Sequence, residues 1–228
     1  RYQAMEFTGE ALQYLDMSDR FSMANMAIEA GAKAGLFEAD EMTRSFIRAR
    51  GREDGLYLQS DPDAEYAAVY EFDVSEFEPF VAVPFIPENV KPVSQLNEVE
   101  IDQAVIGMCT NGNLEDLRAA AEILKGHQIH PRVRAVIIPG SQKVYLDALR
   151  EGLIEIFIQA NCSVSTPTCG PCLGGHMGVL AAGEKCISTS NRNFRGRMGH
   201  TSSELYLANP YVAAASAIAG RIISPDDL

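Results

Sequence analysis

No stretch of the 228 residues is a long uninterrupted apolar run, so a hydrophobic content of 46% comes without a transmembrane span. The first residues, Arg1-Tyr2-Gln3-Ala4-Met5-Glu6, lack the basic and apolar regions of a signal peptide, and secretion is not expected. Basic residues are few: nineteen Lys and Arg face thirty-one Asp and Glu. The resulting charge of -12 repels phosphate backbones and argues against nucleic-acid binding. Cysteine is also sparse, and five unevenly spaced residues make no disulfide framework, which leaves a reducing cytoplasm as the expected compartment. An initiating methionine is missing, which suggests a fragment.

What is present reads as α/β. The length suits one large or two modest domains. The N-terminal part patterns as helices. Thr8-Gly9 opens a short one, Ser18-Asp19 offers caps for a longer one reaching about Lys33 and closed by Gly35, and a third covers about 40–49 before Gly51. Alternation over residues 68–74 predicts a strand, and prolines at 79, 84, 87 and 92 favour extended edges or a linker. A boundary is expected near Leu96. Residues 1–96 would then be a partial α/β domain with a helical start and a proline-rich end, and 97–228 a second α/β domain. In the latter, apolar runs at 104–108, 135–138 and 154–158 alternate with helical stretches at 114–124 and 142–151, predicting a buried parallel sheet. A further strand is expected at 185–189, and a closely packed helix from Pro210 to Gly220.

Ligands of such sheets gather at the carboxyl ends of strands, and the chemically distinctive residues fall there. Cys109 follows the first apolar run, in Met108-Cys109-Thr110-Asn111-Gly112, with Asn111 and Asn113 as helix caps beyond it. Cys169 and Cys172 occupy a Pro/Gly-rich loop. Thiolates ligate iron–sulfur clusters, and three of them on a four-iron cluster leave one iron open to substrate. Arg192 and Arg197 flank a glycine in the polar turn Ser190-Asn191-Arg192-Asn193-Phe194-Arg195-Gly196-Arg197. Arginine's planar fork of donors matches a carboxylate.

Blander readings stand beside these. A Cys-x-x-Cys pair also serves zinc knuckles and redox pairs. Cys162 and Cys186 read as small buried apolar residues, His127 and His130 as solvated, and His176 as a hydrogen-bonding neighbour of the cysteine loop. Arg195 reads as a solvated loop charge. Glu29 is either a surface acid or a used one. A zinc-stabilised domain on Cys109, Cys169 and Cys172 with His176 as fourth ligand, and a cluster-free RNA-binding or regulatory module, are the alternatives from other classes.

The order Cys-Thr-Asn at 109, Cys-x-x-Cys at 169 and Ser-Asn-Arg-Asn-Phe-x-Gly-Arg from 190 resembles the aconitase superfamily. The wording Thr168-Cys169-Gly170-Pro171-Cys172-Leu173-Gly174-Gly175-His176-Met177-Gly178 is similar to the large subunits of its two-subunit hydro-lyases, which act on isopropylmalate, homoaconitate or dimethylmalate. The likeness covers essentially the whole chain, including Asn25-Met26-Ala27-Ile28-Glu29-Ala30-Gly31-Ala32.

That resemblance implies an aconitase-like three-layer α/β/α fold. It implies a 4Fe–4S cluster on Cys109, Cys169 and Cys172, substrate carboxylate on Arg192 and Arg197, and Asn25 and Asn191 beside cluster and substrate. Glu29 would sit near the hydroxyl or water on the open iron; spaced four residues from Asn25, it would share a helix face with it. The implied reaction is dehydration and rehydration of a 2-hydroxy polycarboxylate, with isopropylmalate in leucine biosynthesis as the leading substrate. The base serine of the family lies on a separate small swivelling subunit, and a histidine–aspartate set belongs to an earlier domain of the large subunit. The chain is therefore expected to be inactive without both partners.

Overall fold

A computed structural model describes residues 2–52, 55 and 57–228. The chain divides into two compact units, up to Phe77 and from Glu78 onward. Residues 78–96 belong to the second unit although the prolines suggested a boundary near 96. They contribute β3 (Phe80–Ala82) and β4 (Val90–Pro92), which pair antiparallel, and Val81 and Val93 are buried in the core.

The first unit contains a β-α-β crossover. β1 (Ala4–Phe7) lies parallel to β2 (Ala34–Phe37), with Phe7 and Phe37 stacked at 5.0 Å between ring centroids. Between them runs α1 (Met17–Ala27), followed after β2 by α2 (Glu41–Arg48). The cap of α1 is Asp16, two residues before the expected Ser18-Asp19. Its carboxylate accepts from the Ser18 and Asp19 amides at 2.7 and 3.0 Å, and Asp19 returns the bond to the Asp16 amide. The helix also stops earlier than the expected Lys33. Ala32 N–H reaches back to Ala27 O and Gly31 turns at φ +85, a left-handed close that glycine allows. Gly35, expected as the helix stop, is instead in β2. A Cβ there would lie 2.8 Å from the Ala24 backbone, so its absence lets α1 lie close against the strand.

Arg20, 3% exposed, organises this unit. Its guanidinium donates to Asp40 Oδ2 at 2.7 Å, to Leu12 O at 3.1 Å and to Thr43 Oγ1 at 3.3 Å. The expected strand at 68–74 does not form, and these residues are exposed and irregular. Alternation marks a half-buried strand, but no sheet in this unit offers it a partner.

The second unit is a seven-stranded sheet in the order β4-β3-β9-β8-β5-β6-β7. β5 (Gln103–Gly107), β6 (Arg134–Ile138), β7 (Ser163–Val164), β8 (Lys185–Ser188) and β9 (Glu204–Leu207) are mutually parallel. α3 (Leu114–Leu124), α4 (Gln142–Arg150), α5 (Leu153–Gln159) and α6 (Pro210–Ala219) all contribute to the core on one face. Side chains alternate across the sheet: Ala104, Ile106, Ala135, Ile137 and Ile187 face the helices, while Val105, Val136, Ile138 and Cys186 face the other side. There the cover is Cys172, Leu180 and Met198 from loops, so the α/β class stands while this unit's helices lie on a single face.

One expected strand is a helix. The run 154–158 forms part of α5 because Leu153, Ile154, Phe157 and Ala160 turn inward at helical spacing and leave Ile158 exposed. Among the described residues no helix is long and apolar enough to cross a membrane.

Arg20 holds the Asp40 carboxyl well below the usual carboxylate range. Its contribution to stability is therefore full above the unfolded value of about 4, begins to shrink below it, and is lost only as pH falls through the depressed native value. Asp40→Ala is expected to cost about 1 to 2 kcal/mol, less than a fully buried pair because solvent reaches Asp40. Amide exchange read across pH 7 to 3 checks this: α1 and α2 should lose protection in the variant while β5 and β6 do not, and the gap between variant and parent should begin to narrow only below about pH 4.

Candidate active site

Strand order reverses between β5 and β8. β6 and β7 extend the sheet on one side, β8 and β9 on the other. Such a reversal is where parallel α/β sheets accept ligands, outside the carboxyl ends of the two strands. The loop after β5 carries Cys109, and the loop after β8 carries the arginines.

The first loop is shaped by backbone close to steric limits. Gly107 has φ +113, and a Cβ on it would lie 2.0 Å from Ile138 O; Met108 follows at φ +68 with its side chain buried. Met108 N–H donates to Ile138 O and Gly140 N–H to Gly112 O, each at 2.7 Å. This turn leaves Cys109 exposed. Asn113 caps α3 as expected. Asn111 does not; its Nδ2 donates to Asp116 at 3.0 Å, and the same carboxylate accepts from Asn113 N–H at 2.9 Å.

The second loop follows β7. Thr168 Oγ1 accepts from Gly170 N–H at 3.2 Å and lies 3.1 Å from His176 Nε2. The imidazole covers Gly170 so closely that a Cβ there would stand 2.5 Å from the ring. Gln103, fully buried in β5, donates to Gly178 O at 2.7 Å and ties the loop to the central strand. Cys169 is exposed, and Cys172 is buried against the sheet.

The third loop is fixed from both ends. Thr189 N–H donates to Val105 O at 3.0 Å, and Thr189 Oγ1 accepts from Gly107 N–H at 2.8 Å, joining the β8 loop to the β5 loop. Asn193, fully buried, donates Nδ2 to Val83 O at 2.9 Å and to Ala82 O at 3.4 Å, which fastens the turn to β3. Arg197 Nη2 approaches Cys172 Sγ at 3.6 Å, and its Nε is buried with no partner. Asn191 and Arg192 are half-buried in the same turn. Arg195 is more than a solvated charge, since its guanidinium lies 4.0 Å above the Phe85 ring.

Asn25 and Glu29 lie in the first unit. Both are half-buried, but α1 ends at Ala27, so Glu29 sits in the following turn and not on a helix face shared with Asn25. Asn193, Thr189 and Gln103 were not singled out as site-shaping residues. Asn193 and Thr189 belong to the same conspicuous motif as the arginines, and a polar Gln inside an apolar strand was the available signal for the third.

Among the described residues no three His, Cys, Asp or Glu side chains are gathered to hold a single metal ion, so the zinc arrangement with His176 finds no site. A cluster makes a different demand, because each thiolate takes its own iron. The donors fit it in kind: two exposed thiols, and a third within 3.6 Å of the Arg197 guanidinium. Burial pushes the Cys162 and Cys186 thiols up to about 12, which suits the structural role expected of them.

These loops on this sheet match the aconitase family (aconitate hydratase) over residues 2–99 and 90–220, and the chain belongs to that family. It is 60% identical over 227 residues to a 3-isopropylmalate dehydratase large subunit of Hydrogenobaculum sp. (strain Y04AAS1). It is 60% identical over 228 residues to the large subunit of Moorella thermoacetica, and 58% over 232 residues to that of Aquifex aeolicus. Each likeness covers 100% of this chain and 54% of the relative, so the chain spans about half the length of these curated relatives.

Alkylation of the native chain at pH 8, followed by mass spectrometry, should label Cys109 and Cys169 first and reach Cys162 and Cys186 only after unfolding. Early labelling of Cys186 would contradict its burial. Gly170→Ala should displace His176 from Thr168, at a cost of about 1 to 3 kcal/mol. The checks are changed His176 ring chemical shifts by NMR and faster labelling of Cys172.

Proposed function

We propose that this chain is the cluster- and carboxylate-binding portion of a hydro-lyase large subunit that interconverts 2-isopropylmalate and 3-isopropylmalate in leucine biosynthesis, in the cytoplasm. The single observation that carries the reading is the contact of Arg197 with Cys172 at the strand reversal, which unites a cluster-ligand candidate and a carboxylate-binding candidate. The names of the relatives support the substrate. In this reading the chain works with a small swivelling subunit and with the part of the large subunit that it does not span.

Cys109, Cys169 and Cys172 hold a 4Fe–4S cluster, which when bound supplies a Lewis-acidic open iron to polarise the substrate C–O bond. Arg197 and Arg192 hold a substrate carboxylate through paired guanidinium donors. The Arg197 guanidinium is held beside Cys172, with its Nε buried and without a partner. Fixing the carboxylate orients the neighbouring carbons and places positive charge where negative charge develops. Asn191 donates to substrate oxygens. Asn25 and Glu29 remain the first unit's candidates, Glu29 for acid–base work on the departing hydroxyl. The proton on carbon is removed by the small subunit.

The test is anaerobic assembly of the full large subunit with the small subunit, assayed on isopropylmalate, homoaconitate and dimethylmalate. Turnover is expected on isopropylmalate above the other two. Arg197→Lys is expected to raise KM about tenfold or more, because a single ammonium does not reproduce the fork. Preference for homoaconitate, or an unchanged KM in the variant, would contradict the reading.

A further inference from the structure

The first unit buries little. Among its described residues Ala27 is the one buried apolar side chain, and its sheet has two strands. Two-stranded sheets are marginal in water, and parallel ones are normally covered on both faces. The same unit holds a segment with period-two character. Ala68, Tyr70, Phe72 and Val74 occupy one set of positions, and Val69, Glu71, Asp73 and Ser75 the other, polar from Glu71 onward. Tyr70 is 79% exposed and Phe72 74%, and among the described residues no backbone hydrogen bond reaches residues 67–73. The pattern encodes a strand with one dry face. That face is wet, and among the described residues the backbone groups of 67–73 have no backbone partner.

We infer that residues 68–75 are a strand that pairs with a sheet edge supplied by the stretch of the large subunit that this chain does not span, burying Tyr70, Phe72 and Val74. The inference rests on the proposed function in taking the chain as part of a large subunit. Three observations choose the occupant. The relatives match this segment within a polypeptide of which the chain spans 54%, so the rest of that polypeptide is present at high effective concentration. A second copy is disfavoured, because Glu71 and Asp73 would meet like charges across the pair, on a chain of net charge -12. The same acidic face calls for Lys or Arg on the neighbouring strand. Backbone pairing gives the affinity of such strand addition and the alternate side chains its register.

Hydrogen exchange over residues 68–75 tests this in the chain alone, in the chain mixed with the remaining stretch of the large subunit, and in the complete two-subunit enzyme. Exchange should be fast in the chain alone at any concentration. It should slow by at least about tenfold once the remaining stretch is added, before the small subunit is present. Phe72→Asp should leave the melting of the chain alone unchanged and weaken the association about tenfold or more. Protection that grows with concentration of the chain alone would overturn the inference in favour of self-pairing. Protection that needs the small subunit would overturn it in favour of that partner, and fast exchange throughout would overturn it outright. Turnover without protection at 68–75 would sink only the strand pairing; protection without turnover would sink only the proposed activity.

Discussion

The parallel pairing of β5 with β8 is the constraint on which the site depends. Gln103, Ala104 and Val105 register against Cys186, Ile187 and Ser188, and at the end of this ladder Thr189 accepts from Gly107 N–H. Because the chain places β6 and β7 on one side of that pair and β9 on the other, the loops leaving β5 and β8 cannot be covered by their own crossovers. Fully buried strands fix the two loop origins, and the loops inherit that rigidity.

Each loop is then fastened by groups that take no part in chemistry. Gly107 and Gly112 let the cysteine turn press against Ile138 and Gly140 at distances no side chain would tolerate. Gln103 holds the Cys-x-x-Cys loop through Gly178, and Asn193 holds the arginine turn through the Ala82 and Val83 carbonyls at the end of β3. The buried amides are costly to strand without partners. Their hydrogen bonds therefore select one loop arrangement, in which Cys172 and Arg197 meet.

Much of the second unit was legible because its signals are local: apolar runs for β5 and β6, a cap and helical period for α3, a proline opening and a left-handed glycine closing α6. The chemically distinctive residues were legible because cysteines and arginines in polar turns after strands are uncommon. What misled was decided by tertiary context. The run 154–158 is apolar enough for either state, and inward packing of Phe157 on the sheet decided for helix. Residues 68–74 have the period of a strand, but among the described residues no strand pairs with them. The early end of α1 hangs on Gly31, one of two glycines four residues apart, and nothing local ranks one above the other. Asn193 looked like one more polar loop residue, since its value lies in carbonyls more than a hundred positions away in sequence.

The central proposal is that the loops after β5 and β7 hold a cluster on Cys109, Cys169 and Cys172. Counting iron, acid-labile sulfide and zinc per chain after anaerobic reconstitution of the large subunit, for the parent and for Cys109→Ser, Cys172→Ser and Cys162→Ser, tests it most directly. The account predicts about four iron and four sulfide in the parent and in Cys162→Ser, with both reduced in the other two variants. Zinc without sulfide, or iron and sulfide unchanged in Cys109→Ser and Cys172→Ser, would contradict it.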